Sequence, residues 1–340
     1  MMKIPLINLA KFKHGDVQTQ QNIVKQIYQA CHEIGFMYLQ TELSPEILEQ
    51  VFCLSKKFFD LPVEVKQQLA WSDEFSNVGY VAMARESLNP KQPGDLKEAF
   101  NINLYVDSEN INLSPHSPSG YACGTPPKKQ ATLSVSKNGK LSLGALSPLP
   151  TPISPNKEPL IIAFYQACTE LANTVLEALA LALELQVNFF TIRHNQHHHT
   201  LRLLHYPPLQ TSPRPGQVRA GEHSDYGSIT LLFQDEVGGL EVQTKNGEWI
   251  SAPTIPDTVI VNTGDLMQRW TNDVFCSTKH RVIVPNNHRV QRSRYSIAFF
   301  CHPNHDTEIA CLESCQQGKA PIYPPVLAGE YLVSRLQATY

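Results

Sequence analysis

Between Leu201 and Phe300 the chain breaks into short apolar stretches separated by turn signals, and this punctuation narrows the possible folds more than any other feature. Leu201 to Tyr206, Ile229 to Gln234, Leu240 to Thr244, Thr258 to Asn262 and Tyr295 to Phe300 each have strand length. Gly238-Gly239, Asn246-Gly247 and Pro285-Asn286-Asn287 mark turns between them. Many short strands joined this way favour a sandwich or barrel over a parallel sheet with crossover helices.

The first half reads differently. "KIPLINL" at residues 3–9 reads as a short strand, and "FMYLQ" after Gly35 as another. Helical spacing runs from about Asp16 to Ile34 and through residues 44–60, and Pro62 opens a short helix toward Leu69. Residues 110–159 turn rich in Ser, Pro, Gly, Thr and Lys, the composition of a surface insertion with irregular or hairpin pieces. An Ala- and Leu-rich pattern from Leu160 to about Phe190 predicts one long buried helix. The expected architecture is a central antiparallel sheet braced by helices, with residues 1–108, an insertion at 109–159 and residues 160–340 forming one catalytic unit.

Composition bounds function. With 340 residues, a net charge of -3 and 42% hydrophobic residues, the chain reads as a soluble cytoplasmic protein. Neither a membrane span nor a secretory leader is visible in the sequence, and the charge gives no support for nucleic-acid binding. Eight cysteines without dense spacing read as reduced thiols, and Cys311 with Cys315 lacks the companions of a zinc site.

Two His-x-Asp pairs raise the question of a metal. In "GEHSDYGSITLLFQD", His223 and Asp225 would face the same side of a regular strand. His280, opening the apolar "HRVIV", is the best third ligand, and two histidines with one carboxylate suit an Fe(II) site that keeps positions open. His14 and Asp16 share the spacing but precede a helix, where Asp16 reads as its cap. "HHHT" at 197–200 reads as the lead into a strand.

"GEHSDYGSITLLFQDEVGGLEV", "NTGDLMQRWTNDVFCSTKHRV" and "RSRYSIAFF" resemble the catalytic half of the isopenicillin N synthase-like family of non-haem iron, 2-oxoglutarate-dependent oxygenases. "IPLINL", "GFMYL" and "GDLKEAFNI" extend the resemblance over roughly residues 3–108 and 160–335, although Asn8 replaces the family's usual acid. The resemblance implies a mainly β fold, a distorted double-stranded β-helix (jelly roll) with supporting N-terminal and central helices. It implies that His223, Asp225 and His280 ligate iron, and that Arg294, Ser296 and Tyr206 bind 2-oxoglutarate. Fe(II), 2-oxoglutarate and O2 would be the cofactor and cosubstrates, ascorbate a supporting reductant, and a small organic molecule the substrate.

Arg219, Phe233, Trp270 and Phe300 are candidates for the substrate pocket, with Arg219 at the rim; Lys97 and Glu98 read as a solvated charge pair. The alternative is an isopenicillin N synthase-like or aminocyclopropane carboxylate oxidase-like enzyme. It would keep the triad but turn Arg294 and Ser296 to the substrate's own carboxylate.

Overall fold

A computed structural model describes residues 3–71, 73–88, 93–105, 132–135, 141–143, 158–209, 213–284, 291–316, 318 and 320–340. The chain begins with β1 (Leu6–Asn8), α1 (Ala10–His14), α2 (Val17–Glu33), β2 (Phe36–Gln40), α3 (Pro45–Phe59), α4 (Val63–Gln67), β3 (Gly79–Val81) and β4 (Glu98–Tyr105). Within the expected insertion lie β5 (Thr132–Val135) and β6 (Leu141–Leu143), an antiparallel pair. The insertion's last two residues already belong to the helix that follows, and residues 109–131, 136–140 and 144–157 are outside the described residues.

Then come α5 (Glu158–Ala182), β7 (Thr200–Tyr206), β8 (Ala220–His223), β9 (Ile229–Gln234), β10 (Leu240–Gln243), β11 (Trp249–Ser251), β12 (Thr258–Thr263), α6 (Asp265–Trp270), β13 (His280–Val282) and β14 (Arg294–Cys301). A short pair, β15 (Glu308–Ile309) with β16 (Val326–Leu327), and two helices, α7 (Glu313–Gln316) and α8 (Ala328–Gln337), complete it. The five strands anticipated between residues 201 and 300 form with ends shifted by at most one residue.

Two sheets face each other as a double-stranded β-helix. The larger has ten strands, in the order β1-β2-β12-β9-β14-β7-β4-β5-β6 with β3 beside β4; the smaller runs β11-β10-β13-β8. Because β4 pairs with β7, the N-terminal segment and the catalytic segment share one sheet.

Alternation along the large sheet divides the core in two. Leu201, Leu203, Ile229, Leu231, Phe233, Ile297 and Phe299 pack outward against helices α2, α3 and α5. Leu204, Tyr206, Ile260 and Ala298 turn inward and meet Leu240, Val242 and Val282 of the small sheet. The helices thus cover one face of the large sheet, leaving its inner face for polar groups.

The long helix is shorter than its composition predicts. It stops at Ala182 because Glu184 takes a left-handed φ of 59°, and the amides of Glu184 and Leu185 return to the carbonyls of Leu181 and Ala180 (3.1 and 2.9 Å). Phe189 and Phe190, expected within it, instead lie in the following turns and pack edge-on against Trp270. No helix among the described residues is long and apolar enough to cross a membrane.

Candidate active site

His223 ends β8 and His280 opens β13, and the two residues are paired directly across the small sheet. The register shifts between this pair and Ala220–Val282, so three steps along β8 match two along β13. This bulge re-aims His223, allowing it to face inward although Ala220 also packs in the inner cluster. Asp225 lies beyond the strand, contrary to the expectation that both residues share a regular strand face. A turn seats Asp225 against the start of α6, where its carbonyl accepts from the Asp265 amide at 2.8 Å. Gly264 permits the approach, since a Cβ there would stand 2.4 Å from the Gly227 oxygen and 2.8 Å from the Asp225 oxygen.

The three side chains converge. The Nε2 atoms of His223 and His280 lie 3.8 and 3.5 Å from Asp225 Oδ1, too far for hydrogen bonds. Ligand bonds of about 2 Å let one ion reach donor atoms up to about 4 Å apart, so both distances lie within reach of one shared ion. Among the described residues this is the only group of His, Cys, Asp or Glu able to hold a metal.

Each ligand is oriented from behind. His223 Nδ1 donates to the Gly221 carbonyl at 2.7 Å and His280 Nδ1 to that of Thr278 at 3.1 Å, which leaves both Nε2 lone pairs directed inward. Asp225 Oδ2 accepts from Thr230 Oγ1 at 2.6 Å and Asn262 Nδ2 at 2.8 Å, leaving Oδ1 for the metal. Burial, reinforced by His280, pushes the His223 pKa down to about 3, so its ring is neutral and ready to bind. Burial alone would raise the Asp225 pKa, but His280 and His223, with the Thr230 and Asn262 hydrogen bonds, outweigh it and keep the carboxylate ionised.

Further along the same inner face stand Arg294, Ser296 and Tyr206. Arg294 is fully buried, donates to Ser296 Oγ at 3.2 Å and Gln234 Oε1 at 2.9 Å, and lies 4.6 Å over the Tyr206 ring. Phe300 shares this face, six residues along β14 from Arg294. Two other pocket candidates do not. Phe233 points outward against Phe164, because odd and even positions of β9 face opposite ways, and Trp270 belongs to the helix-side core with Phe189 and Phe190. Arg219 is 0% exposed rather than at a rim.

Lys97 and Glu98 are not a solvated pair. Lys97 binds Asp95 and Glu86 at 2.9 and 3.2 Å, and Arg202 binds Glu86 at 2.6 Å, forming a buried network on the inner face. Glu98, one residue on, faces the helices and binds Lys66 at 2.8 Å and His205 at 2.7 Å. This network and the Thr230 and Asn262 supports escaped the sequence reading. Strand alternation carried the signal, since Thr230 and Asn262 occupy inward positions opposite each other.

The pattern of the 2OG-Fe(II) oxygenase superfamily matches residues 197–303, and that of the N-terminal segment of non-haem dioxygenases in morphine synthesis matches residues 4–119. A full-length Neurospora crassa protein, solved in complex with alpha-KG and thymine, is 35% identical and superposes with a TM-score of 0.80 over 99% of this chain and 97% of that one. The 2-oxoglutarate-Fe(II) type oxidoreductase hxnY of Emericella nidulans is 31% identical, over 99% of this chain and 90% of the relative. The chain belongs to the 2OG-Fe(II) oxygenase superfamily. It is a non-haem oxygenase that binds Fe(II) through two histidines and one aspartate, uses 2-oxoglutarate and O2 as cosubstrates, and acts on a small organic molecule. The proline hydroxylase buaE of Petromyces alliaceus is also similar, at 30% identity over the whole of both chains.

Proposed function

We propose that Arg294, Ser296 and Tyr206 hold the distal carboxylate of 2-oxoglutarate, and that the substrate is a small, polar, nitrogen-containing ring compound oxidised at a C–H bond. The observation that carries the cosubstrate assignment is Arg294 itself. It is a fully buried cation whose hydrogen-bonding partners, Ser296 and Gln234, are both neutral. A guanidinium stripped of water and left without an acid is costly, and a carboxylate arriving beside the Ser296 hydroxyl offsets that cost.

With the metal in place, one atom of O2 enters the succinate formed as 2-oxoglutarate loses CO2, and the other enters the substrate. The chain's residues hold the reactants and exclude water. Gly221 and Thr278 fix the imidazoles, Thr230 and Asn262 fix the carboxylate, and the two sheets enclose the inner face.

The substrate class draws on the thymine bound to the Neurospora protein and on the name of the proline hydroxylase, both nitrogen rings. It is in keeping with an inner face that offers Lys97, Arg202 and Glu86 for polar contact and Phe300 for an apolar wall. The ordered motifs from "IPLINL" to "RSRYSIAFF" support placement in the isopenicillin N synthase-like branch, and the free thiols suit a cytoplasmic setting.

The test is a panel of pyrimidines and cyclic amino acids, assayed with iron, ascorbate and O2 for oxidised product and succinate together. Equal amounts of product and succinate from a ring compound are expected. Succinate without product across the panel would remove the substrate class, whereas product formed without 2-oxoglutarate would favour the oxidase alternative.

A further inference from the structure

Arg219 sits immediately before β8, buried to the same degree as Arg294. Its Nη2 donates to the Arg292 carbonyl at 2.9 Å, which fastens the guanidinium at the start of β14, where Arg294 stands. Its Nε and Nη1, like Arg294 Nε, find no hydrogen-bond partner among the described residues. Burial, then the neighbouring Arg294 charge, pulls the Arg219 pKa below its ordinary value, with Tyr206 and Asp235 acting the other way.

The acid nearest to answering this charge is already engaged. Asp235 accepts from the amides of Val237 and Tyr295 at 2.9 and 2.6 Å. Neither arginine forms a salt bridge with any described residue. Two buried guanidiniums that repel each other and keep unbonded N–H groups make an incomplete anion site.

We propose that Arg219 is a second guanidinium of the cosubstrate pocket, gripping the distal carboxylate of 2-oxoglutarate together with Arg294 and selecting dianionic over monoanionic 2-oxo acids. This rests on the reading that Arg294 and Ser296 hold the cosubstrate. Arg219 meets the cosubstrate at the end remote from the oxidised bond, so its loss acts on cosubstrate affinity.

The experiment measures equilibrium binding of 2-oxoglutarate and of 2-oxopentanoate, which lacks the distal carboxylate, to Mn(II)-loaded protein by calorimetry. Arg219→Met is expected to weaken 2-oxoglutarate about tenfold or more while leaving 2-oxopentanoate within about twofold, since a charged hydrogen bond is lost for one ligand only. In the Fe(II) enzyme the KM for 2-oxoglutarate rises by a similar factor. Arg219→Gln, which keeps a donor for the Arg292 carbonyl, gives the same selective loss and serves if the Met variant does not fold. Equal weakening of both ligands would assign Arg219 a structural role and overturn the proposal. Unchanged 2-oxoglutarate affinity, alongside its loss in Arg294→Met, would overturn it while leaving the cosubstrate reading standing. If neither arginine matters, the cosubstrate reading itself falls.

Discussion

His14-x-Asp16 and His223-x-Asp225 share a spacing and nothing else. At the first, Asp16 Oδ1 accepts the Thr19 amide at 2.8 Å and caps α2, while His14, with 66% of its side chain exposed, meets Glu42 at 3.2 Å in solvent. At the second, the carboxylate is held by Thr230 and Asn262 and lies between two imidazoles in the sheet interior. A carboxylate's task is set by its surroundings: the Thr19 amide makes Asp16 a cap, and two converging imidazoles fit Asp225 to share a metal with them.

The sharpest way to break this comparison is to remove each aspartate. Asp225→Ala should abolish Fe(II) retention and substrate oxidation, checked by metal analysis after desalting and by product assay; a variant that keeps both would end the metal assignment. The same contrast extends to ion pairs. Burial opposes ionisation of Glu86, but Arg202 and Lys97 outweigh it and hold its pKa down to about 2. Glu86→Gln leaves buried Arg202 without its acid, although Lys97 keeps Asp95, and should cost about 3–5 kcal/mol in denaturant unfolding, whereas Glu42→Gln at the exposed pair should stay within about 0.5 kcal/mol.

The sign of the pH dependence follows. Because the folded Glu86 pKa lies below the unfolded value of about 4.3, its contribution is complete above that value and is lost as pH falls toward about 2. Wild type should therefore lose more stability than Glu86→Gln between those limits. Equal losses would show that Glu86 is not the group responsible.

Smaller effects follow from the supports. Asn262→Ala, removing one of two hydrogen bonds to Asp225 Oδ2, should weaken metal affinity about 10- to 100-fold, measured by competitive titration. Asp16→Ala should lower stability slightly through its lost cap, less than Glu86→Gln does, with metal affinity unchanged. A weakened metal site in Asp16→Ala would mean that the two regions are coupled.

Much of this was legible in sequence because it depends on local period and turn chemistry. The strands from Thr200 to Cys301 follow apolar stretches and Gly or Asn turns, and His223 and His280 stand at strand ends while Asp225 falls in the connection after β8. What escaped depends on which way a strand faces. Phe233 and Phe300 look equivalent as aromatic strand residues, yet β9 turns the first toward α5 and β14 turns the second inward. Lys97 and Glu98 look like one exposed pair, yet adjacent positions at the start of β4 send them to opposite faces, Lys97 to Asp95 and Glu86 and Glu98 to Lys66 and His205. The bulge at β8 and the turn carrying Asp225 are likewise set by tertiary pairing.

The central claim is that His223, Asp225 and His280 hold iron in a form that accepts 2-oxoglutarate. Anaerobic addition of Fe(II) and then 2-oxoglutarate, followed by visible absorption, tests it most directly. A metal-to-ligand charge-transfer band should appear in the wild type and in Asp16→Ala, and be absent from Asp225→Ala. Folded, iron-loaded wild-type protein that gives no band, or an Asp225→Ala protein that gives one, would contradict the account.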